Sequence, residues 1–142
     1  MTILDVNVLL YASIGSFPQH KAASAWLEDL MEGPDSIGLP WITIWGYLRL
    51  ATSRQAFATS VTTEDAFAFL QELISVSKVI PVDPGPDHLN LLQQLAVGGQ
   101  STGPKLTDAA LAALAIERGA TLASTDKDFS RFPKLKWVNP LG

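Results

Sequence analysis

The chain has 142 residues, a formal net charge of −4, and 47% apolar against 17% charged residues. That balance predicts one folded domain over residues 1–142 with a real core, and it excludes a disordered chain. The absence of cysteine excludes disulfides and thiolate metal sites and is compatible with a reducing cytoplasm. No basic-then-apolar leader opens the sequence and no apolar stretch is long enough to span a bilayer, so no membrane is expected. Net negative charge does not advertise nucleic-acid binding, but the count includes any acids that hold metal ions.

Residues 2–5 read as a buried strand that ends in Asp5 and leads into a short helix over 6–12. Gly15 to Pro18 is a break. Ala23, Trp26, Leu27, Leu30 and Met31 then recur at helical spacing until Gly33-Pro34-Asp35 stops them. Residues 36–39 are a second strand closed by Pro40. Residues 41–53 read as a helix whose core face is Trp41, Trp45, Leu48 and Thr52, with Gly46 marking a close approach to its backbone. Thr62-Thr63-Glu64-Asp65 resembles a capping box for a helix through Ile74. Val79-Ile80-Pro81-Val82 is a third strand, placed at an edge by its proline. A helix follows through Leu89, Leu92 and Leu95, and residues 98–104 are the most flexible by composition. Thr107 is expected to cap a helix over 108–118 that Gly119 stops, followed by a strand over 121–124, a turn over 129–133, and a last strand over 136–138. Alternating strands and helices give an α/β class, a three-layer α/β/α sandwich with a mainly parallel central sheet. The pattern does not set the strand order.

Ligands of open α/β sheets bind outside the carboxyl ends of the strands, where this chain places Asp5, Asp126 and Asp128. Asp108 opens a late helix. Singly, each has a plain structural reading: Asp5 as a helix cap, Asp108 as a first-turn acid, Asp126 as a turn residue and Asp128 as a helix start. Together they are acids from separate elements at one sheet edge, which repel unless a cation neutralises them. Oxygen donors of this kind suit Mg²⁺ or Mn²⁺, and a hard cation so held can activate water and clamp a phosphate oxygen. Asn7 either orients Asp5 or binds phosphate, or else steadies the strand–helix turn; Thr125 either fixes Asp126 or caps a turn. Lys127, Arg131, Lys134 and Lys136 follow the acids and form either a phosphate-binding cluster or a solvated face. His20 and His88 read as packing or surface residues.

Leu4-Asp5-Val6-Asn7-Val8-Leu9-Leu10, Leu106-Thr107-Asp108-Ala109 and the run Gly119 to Phe129 resemble the motifs of PIN-domain proteins, and most of all the VapC-type toxins. The resemblance spans the whole chain. It implies a PIN-like fold and a Mg²⁺- or Mn²⁺-dependent endoribonuclease with an RNA substrate. It also implies a homodimer inhibited by a small VapB-like antitoxin. Carried over by position, Asp5, Asp108 and Asp126 match the family's metal-binding acids and Asp128 its frequent fourth, with Asn7, Thr125, Lys127 and Arg131 around them. One departure stands out: residues 36–63 contain no acid, and Gly46 lies roughly where the family carries a glutamate. One ion held by Asp5, Asp108 and Asp126 or Asp128 is therefore expected rather than two. Two other readings compete with the nuclease. The first is a PIN-fold module with weakened catalysis that acts by binding RNA or protein. The second, an aspartyl phosphohydrolase with Asp5 as nucleophile, would want a second acid where Asn7 stands.

Overall fold

Five short strands form one sheet in the computed structural model, which describes residues 1–142. They are β1 (Thr2–Leu4), β2 (Ile37–Pro40), β3 (Val79–Val82), β4 (Thr121–Ala123) and β5 (Lys136–Val138). Their order is β3-β2-β1-β4-β5 and every pairing is parallel. Six helices cover both faces: α1 (Val6–Ser13), α2 (His20–Glu32), α3 (Trp41–Ala51), α4 (Thr63–Ile74), α5 (His88–Gly98) and α6 (Lys105–Glu117). One core cluster packs α1 to α4 on one face, and a second packs α5, α6 and a 3₁₀ turn (Lys127–Arg131) on the other. The three-layer α/β/α expectation therefore holds, and β3 lies at an edge as its proline predicted.

Topology positions the site. The chain steps outward from β1 to β3, then returns to lay β4 against the opposite side of β1. Between β1 and β4 the connections leave for opposite faces, opening a crevice at the carboxyl edge. Asp5 follows β1 and Ser124 follows β4 at that point, and the Asp5 N–H donates to the Ala123 carbonyl at 3.0 Å.

Local signals mostly act as written. Thr62 Oγ1 accepts from the Asp65 N–H at 3.1 Å. Gly119 takes φ +59, and the Ala120 and Gly119 N–H groups return to the Ala115 and Ile116 carbonyls, closing α6 as a Schellman motif.

Three expectations fail. Helix α3 exists, but it buries Thr43, Ile44, Tyr47 and Ala51, leaving Trp41 47% and Trp45 66% exposed. Thr43 fits against the sheet because its hydroxyl donates to the Leu4 carbonyl, and Tyr47 because its hydroxyl pairs with Ser13 at 2.8 Å. Counting apolar spacing alone could not foresee polar anchors on the buried side. Thr107 caps nothing: α6 already begins at Lys105, because Pro104 adopts helical φ and the Lys105 and Leu106 N–H groups bond to Thr102 and Gly103. The stretch 98–104 is tethered rather than loose, since buried Ser101 donates its N–H to Ala96 and accepts from Arg131.

Candidate active site

Asp5 is the N-cap of α1, and its Oδ1 accepts from the Val6 N–H at 2.7 Å. The plain structural reading of this residue is thus correct, yet it leaves the other oxygen facing the crevice. Oδ2 accepts from Ser124 Oγ at 2.7 Å and from Asn7 Nδ2 at 3.2 Å. Asn7 lies one helical step on and also reaches β4, donating to Ser124 Oγ at 3.1 Å and accepting the Thr125 N–H at 3.1 Å. It therefore laces β1 to β4 through its carboxamide and orients Asp5.

Ser124 is the residue that sequence reasoning missed. Fully buried, it orients Asp5 and accepts the Asp126 N–H at 3.1 Å. The hydroxyl role expected of Thr125 thus belongs to its neighbour; Thr125 contributes its backbone N–H to Asn7. A buried serine at the end of an apolar strand, polar where burial is costly without partners, was the available signal. The turn is held from outside by Trp137 Nε1, which donates to the Ser124 carbonyl at 2.9 Å.

Asp126 caps the 3₁₀ turn, its Oδ1 accepting the Asp128 N–H at 2.9 Å. Burial pushes the Asp5 carboxyl above the ordinary carboxylate range, and the Asp126 charge adds to the rise against the Ser124 and Val6 hydrogen bonds. Asp108, in the first turn of α6, is likewise raised by burial first and by Asp126 next, with Asp5 adding to it. The Asp126 charge therefore reaches both Asp5 and Asp108, and the Asp5 charge reaches Asp108. Asp128 does not join them: it is half-exposed and ion-paired with Lys105, whose hydrogen bond lowers its pKa.

Arg131 is held beside Asp108, its Nη2 3.8 Å from Oδ2 and donating to Ser101 Oγ at 3.2 Å, with the guanidinium over the Phe132 ring. Lys127 lies apart, lining a cleft with Trp137 and Asn139, whereas Lys134 shares one with Arg131. The basic residues are thus split rather than clustered. His20 bonds the Tyr11 carbonyl and His88 pairs with Glu117, both packing roles.

No three of the carboxylates close on a common point at ligand distance. The donor chemistry nevertheless fits a hard cation: three oxygen-only side chains, two of them raised by burial and mutual repulsion. A divalent ion would relieve that repulsion.

A stability consequence follows with a definite sign. A carboxyl raised above its unfolded value of 3.8 makes the folded chain bind more protons, so stability falls as pH rises through the interval above that value. In EDTA at neutral pH, Asp108→Asn should therefore melt at a higher temperature than the parent. The gain should vanish below the unfolded carboxylate range; thermal melts across pH in EDTA check this.

The PIN domain family matches residues 2–135. Ribonuclease VapC33 of Mycobacterium tuberculosis is 43% identical over 145 residues, covering 99% of both chains. Among solved structures, VapBC2 from Rickettsia felis, bound to a DNA fragment from the promoter, gives a TM-score of 0.71 at 22% identity over 97% of each chain. A toxin–antitoxin complex from Klebsiella pneumoniae gives 0.66 at 18% identity, covering 99% of this chain and 98% of that one. The structural likenesses concern the fold. The end-to-end sequence matches go further, and by them the chain belongs to the PIN domain family and to its VapC group.

Proposed function

We propose that the protein is the RNA-cleaving toxin of a VapBC-type toxin–antitoxin pair, hydrolysing phosphodiester bonds with Mg²⁺ or Mn²⁺. The observation that carries this reading is the convergence of acids at the β1–β4 crevice: Ser124 Oγ joins the Asp5 carboxylate to the Asp126 backbone there, and Asp108 stands beside Arg131 with the Asp126 and Asp5 charges raising its pKa. The full-length similarity to a protein named a ribonuclease supports the substrate class. The similarity in fold to a toxin–antitoxin complex supports a small antitoxin as partner.

Asp5, Asp108 and Asp126 would hold the ion. Bound there, it supplies a water of lowered pKa and a clamp on a phosphate oxygen. The remaining work belongs to the chain. Ser124 and Asn7 fix the Asp5 carboxylate so that little reorganisation is needed on binding. Arg131, held in place by Ser101 and Phe132, presents a guanidinium to the scissile phosphate beside Asp108. Lys127, exposed at the start of the 3₁₀ turn, adds charge for the flanking backbone. Purified protein incubated with labelled RNA should cut it with Mn²⁺ and not with EDTA, and Asp5→Asn should lose the cleavage. RNA bound equally with and without metal, and never cut, would instead favour the module that acts by binding.

The second partner in this reading is another copy of the chain. Trp41 and Trp45 stand exposed beside a groove formed by Ile42, Val82, Pro84 and Leu114, and an apolar face of this kind suits a subunit contact. Trp45→Glu should shift the protein to monomer in sedimentation equilibrium while its far-UV circular dichroism is unchanged. A variant that sediments like the parent places the contact elsewhere.

A further inference from the structure

Lys105 stands at the first residue of α6, on the rim of the crevice. Its ammonium is ion-paired with Asp128 Oδ2 and lies 4.0 Å from Asp108 Oδ2, three residues along the same helix. One ammonium therefore stands within 4.0 Å of both carboxylates. Asp128 belongs to the same 3₁₀ turn as Asp126, which caps its N–H. Lys105 thus occupies the Asp128 carboxylate while its own charge stands beside Asp108.

We infer that Lys105 competes with a divalent ion for Asp108 and Asp128, keeping Asp128 in reserve as a further ligand and setting the metal affinity of the site. This rests on the reading that Asp5, Asp108 and Asp126 bind such an ion. A positive charge beside Asp108 opposes a second cation there. The pairing also ties up an acid that would otherwise supplement a three-carboxylate site. Lys105 is a positioning residue here: it touches neither RNA nor the ion and acts through Asp128. The arrangement offers a substitute for the acid missing from residues 36–63, available only when the lysine lets go.

Calorimetric titration of the full chain with Mn²⁺ tests this as a double-mutant cycle. Both side chains are about half exposed, 49% for Lys105 and 53% for Asp128, so the variants keep their fold. Lys105→Met should bind Mn²⁺ about three- to tenfold more tightly, the scale of a surface charge pair, and Lys105→Arg should match the parent. Asp128→Asn alone should change affinity by less than about twofold, and in the Lys105→Met background it should abolish the gain. The rise in melting temperature between EDTA and Mn²⁺ should be larger for Lys105→Met than for the parent. Unchanged or weaker Mn²⁺ binding by Lys105→Met overturns the inference. So does a gain that survives Asp128→Asn, which would leave no part for the reserve ligand. If the parent itself takes up no Mn²⁺, the metal reading fails along with it.

Discussion

Asp126→Asn should lower metal-dependent RNA cleavage by about a thousandfold, whereas Asp128→Asn should cost less than about tenfold. A ligand that helps a metal stabilise developing charge is worth several kcal/mol in the transition state, and each 1.4 kcal/mol or so is tenfold in rate. Asp126 raises the pKa of both Asp5 and Asp108, which places its charge among theirs. Asp128 contributes to neither, and it is spoken for by Lys105. Single-turnover cleavage of a labelled RNA at saturating Mn²⁺ separates the two variants. Equal losses would mean that both acids bind the ion during the reaction and that the Lys105 pair opens freely.

Gly46→Glu, which adds an acid to a segment that has none, should destabilise the fold by about 1–3 kcal/mol and fail to raise activity. A Cβ at Gly46 would lie 2.7 Å from Val6 Cγ2, and the other nearest atoms also belong to Val6. Val6 has the stiff χ1 of a β-branched residue and follows Asp5 directly, so pushing it aside disturbs the cap that orients the carboxylate. Val6→Ala in the same chain should recover much of the loss. Denaturant titration of the two single variants and the double variant measures the coupling, and additive effects would break the link between the two residues. The glycine at 46 is thus matched to a valine at 6: helices α1 and α3 approach too closely there for a Cβ on residue 46.

The sequence was most readable where chemistry and geometry share one residue. Strand ends running into Asp5 and Asp126, a glycine after α6, and a proline in β3 each state a local rule that the fold obeys. It was least readable where identity depends on a distant partner. Ser124 is an ordinary strand-end serine until β1 brings Asp5 and Asn7 against it, across more than a hundred residues. The outward turn of Trp41 and Trp45 depends on Thr43 and Tyr47 finding Leu4 and Ser13, which no hydrophobic period records. Lys105 escaped attention for the same reason, because its meaning lies in Asp128 on another element. Strand order, which fixes the crevice, is also a long-range property; the pattern of strands and helices restricts it without choosing it.

The pairing of β1 with β4 also sets when the site can exist. The two strands lie more than a hundred residues apart along the chain, Thr2 pairing with Thr121. Parallel pairing over so long an interval forms late, after the closure entropy of the intervening chain has been overcome. Asp5 therefore gains Ser124 and the nearby charge of Asp126 only once this pairing has formed, so the crevice is absent from any partly folded chain that lacks it.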